Sequence, residues 1–162
     1  MTTDQITAFV TGANRGLGKQ FAAQLVERGA KVYAAARRPE TVDVPGVIPV
    51  QLDITDPESI ARAAELAGAV NVLINNAGVS TGASLLTGSM DDVRLEMETH
   101  YVGTLSVTRA FVPVIEGNGG GSVTQPASRT AGTSPDATCR RRESPARLRT
   151  GRPTRASRPS RD

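Results

Sequence analysis

The sequence predicts an α/β fold, a doubly wound parallel sheet built from about the first 124 residues. Two observations lead to this fold class: short apolar runs alternate with amphipathic helical patterns, and a glycine-rich turn joins the first run to the first helix. Hydrophobic residues make up 38% of the 162 residues and aromatic residues only 3%, so the core must be built from Ala, Val, Leu and Ile. Connections between the parallel strands are expected to be right-handed.

The first predicted unit is strand, helix, strand. A strand at Ile6–Val10 leads to Gly12, a helical pattern follows and stops at Gly29, and a second strand covers Lys31–Ala36. The helix carries apolar residues at helical spacing, namely Leu17, Phe21, Leu25 and Val26. The whole unit is roughly 30 residues long, which is the length of a βαβ unit.

A second unit repeats this order. Val47–Leu52 is predicted as a strand, and Asp56 is placed to cap a helix whose first residue is Pro57. One face of that helix is apolar, with Ile60, Ala63, Ala64 and Ala67. A further strand at Val70–Ile74 ends in the polar turn Asn75–Gly78.

A long helix is predicted from about Asp91 to Ile115. Its spacing puts Val93, Met97, Tyr101, Leu105 and Thr108 along one face. Three glycines, Gly119–Gly121, then interrupt the chain, and Ser122–Thr124 begins a fifth strand.

The remaining residues, 125–162, have a different composition. Residues 129–162 hold 10 Arg and 3 acidic residues, a net charge of +7, whereas residues 1–128 hold 9 Lys+Arg and 13 Asp+Glu, a net charge of −4. Leu148 is the one large aliphatic residue of this stretch, so it cannot bury enough apolar surface to offset its ordering entropy. We expect a largely disordered, basic C-terminal tail.

Several protein classes are disfavoured. No run approaches the ~18 apolar residues of a membrane-spanning helix, and no charged-then-apolar leader opens the chain. Cys139 is the single cysteine, so neither a disulfide framework nor a multi-cysteine metal site is expected. These features favour a cytoplasmic protein without a bound metal.

The glycine-rich turn, Thr11–Gly18, indicates a nucleotide site. A dinucleotide pyrophosphate needs close backbone approach and free amides at a helix N-terminus, where the helix dipole favours negative charge. Gly12, Gly16 and Gly18 permit both the turn and the approach. The alternative is a tight strand–helix connection with no ligand.

Four motifs together resemble the short-chain dehydrogenase/reductase family. They are Gly12-x3-Gly16-x-Gly18, Leu52–Asp53, Asn75–Gly78, and Gly103–Leu105 within the long helix, and the resemblance extends from Ile6 to Val123. It implies a Rossmann fold and hydride transfer between a nicotinamide cofactor and a small-molecule alcohol or carbonyl substrate. It also implies that Asp53 contacts the adenine ring and that Asn75–Gly78 packs behind the cofactor. Family members commonly form homo-oligomers, whereas the oligomeric state of this chain stays open.

Charge favours NADP(H) over NAD(H). NAD sites place a carboxylate after the second strand, whereas NADP sites use arginine for the 2′-phosphate. Arg37 and Arg38 stand there, no acid follows until Glu40, and Arg15 lies in the glycine turn. The alternative is that these arginines are only solvated loop charges. The predicted cofactor-binding residues are Gly12, Arg15, Gly16, Leu17, Gly18, Arg37, Asp53, Asn76, Ala77 and Gly78.

The catalytic half departs from the family. The resemblance calls for a tyrosine with a lysine four residues later, assisted by a serine and an asparagine. The tyrosines are Tyr33 and Tyr101 and the lysines are Lys19 and Lys31, so no such pair occurs in these residues. Ser128 is a candidate for the serine, against the alternative of an ordinary serine in a polar tail. His100 occupies the asparagine position, either as a substitute proton relay or as a tolerated change on a helix face.

Three functions follow from this pattern. The first is a family oxidoreductase that is truncated and catalytically defective, and the second is a nucleotide-binding remnant without chemistry. The third, less favoured, is nucleic-acid binding by the arginines of the tail, which lacks aromatic residues for base stacking. Where the tyrosine and lysine are expected, the chain reads Cys139–Glu143, and the composition suggests a reading-frame shift between Gly121 and Cys139.

Overall fold

The computed structural model describes residues 6–84 and 86–126. Five strands are present in this part of the chain: β1 Thr7–Thr11, β2 Lys31–Ala36, β3 Ile48–Gln51, β4 Val72–Ile74 and β5 Ser122–Thr124. Four α-helices lie between them: α1 Gly16–Glu27, α2 Pro57–Leu66, α3 Met90–Met97 and α4 Thr104–Gly117. A short 3-10 turn covers Pro39–Thr41, and a π-helical segment, Glu98–Gly103, joins α3 to α4. The predicted tail beyond residue 126 lies outside the described residues.

The five strands form one parallel sheet in the order β3-β2-β1-β4-β5. Phe9, on the central strand β1, is in register with Tyr33 on one side and with Leu73 on the other. The order runs outward from β1 in both directions, which is the arrangement of a Rossmann sheet and creates a switch point between β1 and β4. The predicted α/β class and doubly wound sheet are confirmed.

The two faces of the sheet have separate cores, because side chains alternate along each strand. Ala8 and Val10 of β1 pack with Ala22 of α1 on one face. Phe9 faces the opposite side, where its ring lies 4.4 Å from that of Phe111 on α4. Helices α2 and α4 cover this second face, so the sheet carries helices on both sides.

Helix α2 begins as the sequence predicts. The Asp56 side chain accepts a hydrogen bond from the Glu58 amide at 3.0 Å, and Pro57 is the first helical residue. The predicted apolar face is buried, with Ile60, Ala63 and Ala64 against the sheet and Ala67 just beyond the helix. This cap fixes the start of α2, and the loop that joins β3 to α2 carries Asp53.

The long helix is present, but its predicted apolar stripe faces outward. Met97, Tyr101 and Leu105 share a side of the helix and are 56%, 65% and 44% exposed. The buried face instead carries Val107, Phe111 and Ile115. Gly103 explains the orientation, since a Cβ there would lie 2.8 Å from the Ile54 carbonyl oxygen. The helix therefore turns its residue without a side chain toward the β3–α2 loop.

Candidate functional site

A cleft of about 410 Å³ opens at the carboxyl ends of the strands, where ligands of open α/β sheets bind. Segments that follow four different strands line it, together with two residues of the long helix. They are Gly12, Asn14, Arg15 and Gly16 after β1; Ala36, Arg37 and Arg38 in β2 and just after it; Leu52–Thr55 after β3; Asn76–Val79 after β4; and Leu95 and Thr99 from the helix.

The turn after β1 is shaped by two glycines with positive φ. Gly12 has φ +66° and Gly16 has φ +55°, a region that other residues rarely adopt. A Cβ on Gly12 would lie 2.9 Å from the Ala77 Cα, so the turn and the loop after β4 approach as closely as backbones can. Helix α1 begins at Gly16 with no side-chain cap and no acidic residue in its first turn. Its amides and dipole are thus available to an anion in the cleft.

A hydrogen-bond network led by Thr11 joins this turn to the loop after β4. Thr11 is 1% exposed, and its Oγ1 accepts bonds from the backbone amides of Asn76 and Ala77, both at 2.9 Å. In return, the Asn76 Nδ2 donates to the carbonyl oxygens of Thr11 at 3.1 Å and Gly12 at 3.2 Å. Two segments separated by more than 60 residues are therefore held as one wall of the cleft.

Gly18 contributes to this wall by lacking a side chain. A Cβ there would overlap the side-chain Nδ2 of Asn76 and the carbonyl oxygen of Gly12. Both atoms lie less than 3.0 Å from the Cβ position, a separation that real Cβ atoms essentially never show. Gly18 does not line the cleft. Its effect on the site is the close approach of α1 to the two loops.

Asp53 lies in the cleft beside Arg37. Its Oδ1 accepts hydrogen bonds from the Thr55 amide at 2.9 Å and the Thr55 hydroxyl at 2.7 Å. The pKa of Asp53 is lowered, first by the Thr55 amide, against the opposing effect of burial, and further by the Thr55 hydroxyl and the charge of Arg37. The carboxylate is therefore ionised at neutral pH and available as an acceptor at this end of the cleft.

Three guanidinium groups, those of Arg15, Arg37 and Arg38, belong to residues that line the same cleft. Among residues 6–84 and 86–126, none of the three has a carboxylate within the 4.0 Å of an ion pair. The Thr41 hydroxyl donates to the Arg38 carbonyl at 2.6 Å and accepts from the Asn14 side chain at 3.1 Å, which ties the β2 loop to the glycine turn. Even with the Asp53 carboxylate near Arg37, the three arginines leave this end of the cleft with a net positive charge.

Most predicted cofactor-side residues line the cleft, namely Gly12, Arg15, Gly16, Arg37, Asp53, Asn76, Ala77 and Gly78. Leu17 does not, and it is 53% exposed in the first turn of α1. Thr11 and Thr55 are missed by the sequence reasoning. A threonine directly before a glycine turn, and one two residues after an aspartate, are the signals that could have indicated them.

Of the two predicted catalytic residues, only His100 lies within the described part of the chain. His100 lies in the π-helical segment, with its Nε2 at 2.6 Å from the Val79 carbonyl oxygen, and it does not line the cleft. Ser128 lies outside the described residues, as do Cys139 and Glu143. In the described part of the chain, no group of three or more metal-ligating side chains is found, and none of the helices is long and apolar enough to span a membrane.

Comparison with known proteins identifies the family. Residues 6–138 match the sequence profile described as short chain dehydrogenase. The chain belongs to the short-chain dehydrogenase family. The resemblance carried by the four sequence motifs is thereby confirmed, and with it membership in a family of oxidoreductases that bind nicotinamide cofactors.

Individual relatives agree with this assignment. The chain is 32% identical over 131 residues to oxidoreductase BOA17 of Botryotinia fuckeliana, covering 74% of this chain and 48% of that protein. It is 33% identical over 108 residues to 3-ketodihydrosphingosine reductase of Bacteroides thetaiotaomicron, covering 64% and 40%. A short chain dehydrogenase from Burkholderia cenocepacia J2315, solved in complex with NADP, is 43% identical with a TM-score of 0.73, covering 77% and 54%. The chain thus spans about half the length of these relatives.

Proposed function

We propose that the cleft binds NADP(H), with the 2′-phosphate end at Arg37 and the pyrophosphate at the glycine turn. The observation that carries this proposal is the cationic end of the cleft, where Arg15, Arg37 and Arg38 have no carboxylate partner in the described ranges. Guanidinium groups match a phosphate dianion in charge and geometry. The relative from Burkholderia cenocepacia solved with NADP supports the same assignment.

The cleft also fits the remaining parts of such a cofactor. The uncapped N-terminus of α1 offers amides to a pyrophosphate, and Gly12 lets the turn pack directly against Ala77 at the edge of the cleft. Asp53 offers an ionised acceptor at the adenosine end, while Asn76 and Ala77 form the wall behind. When bound, the nicotinamide supplies or accepts the hydride in oxidoreductase chemistry.

The substrate class that we propose is a small-molecule alcohol or carbonyl. Its chemistry requires a positioned acid to protonate the developing alkoxide. Neither Tyr33 nor Tyr101 is followed by a lysine four residues later, and Tyr33 is buried within the sheet core. We therefore propose that these 162 residues bind the cofactor without completing efficient turnover, with Ser128 and His100 as the remaining candidates for catalytic groups.

Titration calorimetry of the purified chain with NADPH and NADH tests the cofactor assignment. We expect tighter binding of NADPH, and a roughly ten- to hundredfold loss of NADPH affinity in Arg37→Gln, because a hydrogen bond to a charged group contributes about 1.5–3 kcal/mol. NADH affinity is expected to stay unchanged in that variant. Arg62→Gln is the matched control, since Arg62 lies on α2 and, among the described residues, pairs only with Asp56 and Glu58.

Two results would contradict parts of this proposal. Equal affinities for NADPH and NADH, unaffected by Arg37→Gln, would mean that the arginines are solvated loop charges. The second test follows oxidation of NADPH with a panel of aldehydes and ketones. Multiple turnovers per minute would show that an active site assembles without a tyrosine–lysine pair, while leaving the cofactor assignment intact.

A further inference from the structure

The loop after β4 is held to the long helix by two side chains that lie four residues apart. The Glu96 Oε1 accepts hydrogen bonds from the Thr81 amide at 2.8 Å and from the Thr81 hydroxyl at 2.7 Å. The His100 Nε2 lies 2.6 Å from the Val79 carbonyl oxygen. Because a carbonyl oxygen only accepts, this contact requires the Nε2 to carry the proton and donate it. Residues four apart are neighbours on one side of a helix, so Glu96 and His100 bind nearby residues of the loop.

The imidazole of His100 also packs against Gly78, which remains an exposed residue. A Cβ on Gly78 would lie 2.5 Å from the Cε1 of His100 and 3.1 Å from its Nδ1. The ring therefore occupies the space that a side chain at position 78 would need. This contact gives Gly78 a physical reason to be glycine although its φ is not in the left-handed region.

The backbone that carries His100 is itself unusual. His100 lies in the π-helical segment, and such insertions often mark functional sites. Its neighbour Thr99 is buried and lines the cleft, while Gly103 at the end of the segment packs against the Ile54 carbonyl. The π-helical segment is thus anchored on the cleft side, and it presents the imidazole to the loop after β4.

We propose that His100 is a positioning residue for the cofactor cleft. By donating to the Val79 carbonyl and packing against Gly78, it holds the wall after β4 in the shape that the second half of a dinucleotide needs. Gly78 and Val79 line the cleft beyond the glycine turn, whereas Arg37 and Asp53 lie after β2 and β3. We expect a ligand that ends at the pyrophosphate to contact the glycine turn with Asn76 and Ala77, and a whole dinucleotide to extend further, to Gly78 and Val79. The identity of the ligand rests on the proposed function, but the role of His100 in ordering the loop does not.

The test compares two ligands and two substitutions. Adenosine 2′,5′-bisphosphate probes the arginine end and, through its 5′-phosphate, the glycine turn, whereas NADPH probes the whole cleft. His100→Phe keeps a ring against Gly78 but loses the donor, whereas His100→Gln keeps a donor. Since the contact is partly exposed to solvent, we expect His100→Phe to weaken NADPH binding about two- to fivefold and His100→Gln to restore it to within about twofold of wild type. Binding of the bisphosphate should not change in either variant.

Arg94→Gln is the control on the same helix, because in the part of the chain that the structure describes Arg94 pairs only with Asp91. Thermal melting verifies that each variant folds. Unchanged NADPH affinity in His100→Phe, or equal loss for both ligands, would overturn the proposal. If wild type binds neither ligand, the proposed function fails.

Hydrogen exchange tests the role of His100 in either case. Exchange in peptides covering residues 76–84 should rise in His100→Phe and not in His100→Gln or Arg94→Gln. His100 is the single histidine of the chain, so its ring nitrogens give unambiguous NMR signals. These signals should report the Nε2–H form. Unchanged exchange, or an Nδ1–H form, would overturn the positioning role.

Discussion

Gly18 offers a sharp test of how the site is assembled, because replacing it with alanine should destabilise the protein. In an ordinary helix, glycine to alanine stabilises by about 0.5–1 kcal/mol. At Gly18 the new Cβ would overlap the Asn76 side chain and the Gly12 carbonyl oxygen. Overpacking of this kind costs about 1–3 kcal/mol. Displacing the Asn76 amide would also weaken its two hydrogen bonds to Thr11 and Gly12, at about 1 kcal/mol each. The expected net loss is about 2–4 kcal/mol.

Urea unfolding followed by circular dichroism measures this loss, and Gly117→Ala is the matched control. Gly117 also lies in a helix, as the last residue of α4, but a Cβ there meets nothing within 4 Å. We expect Gly117→Ala to be neutral or slightly stabilising and Gly18→Ala to lower the unfolding midpoint by about 1 M. NADPH affinity should fall in Gly18→Ala and not in Gly117→Ala. Equal stability of the two variants would refute the packing of α1 against Asn76 described above.

Three further predictions concern the same framework. Thr11→Val should lower the free energy of unfolding by about 1–3 kcal/mol in urea titrations, because two partly buried amides lose their acceptor, whereas Thr11→Ser should retain most of the stability. Phe111→Ala should cost about 3–5 kcal/mol by the same assay, and the half-buried Phe21→Ala should cost less; a smaller effect at Phe111 would contradict its place in the core. The folded-state pKa of Asp53 lies below its ordinary value of 3.8, so its ionised form stabilises the fold above that value and loses this contribution as the pH falls through the folded pKa. The stability difference between wild type and Asp53→Asn should therefore be constant near neutral pH and shrink in acid, and a difference that grows in acid would contradict the Thr55 contacts.

The sequence predicts the secondary structure well wherever the signal is local. Strand β2 is found at Lys31–Ala36 as predicted, and Asp56 caps α2 with Pro57 in the first position. Such signals depend on a few adjacent residues and on the chemistry of their own backbone. The glycine turn is predicted for the same reason, since the positive φ of Gly12 and Gly16 is a property of the turn itself.

Contacts between distant segments are not predictable in this way. Thr11 becomes central to the site because its hydroxyl meets the amides of Asn76 and Ala77, which follow it by 65 and 66 residues. The position of Thr11 directly before a glycine turn draws attention to it, but the neighbouring residues do not show which distant amides its hydroxyl meets. Leu17 shows the opposite error. The apolar pattern of α1 predicts that it is buried, but its side chain is mostly exposed.

The long helix shows why periodicity alone does not identify the buried face. Met97, Tyr101 and Leu105 form one apolar stripe, and Val107, Phe111 and Ile115 form another. The second stripe is buried because its N-terminal continuation is Gly103 and Thr99, two small residues that let the helix approach Ile54 and the cleft. In a hydrophobicity pattern, Gly103 and Thr99 contribute little to the apolar stripe because neither is strongly hydrophobic. Close packing nevertheless requires both residues to be small. The π-helical segment then adds a residue to the turn and shifts the register between α3 and α4, so a single 3.6-residue period cannot describe both. His100 lies in this segment and contacts the loop after β4. The contacts of its imidazole are therefore a consequence of tertiary packing, which the neighbouring sequence does not predict.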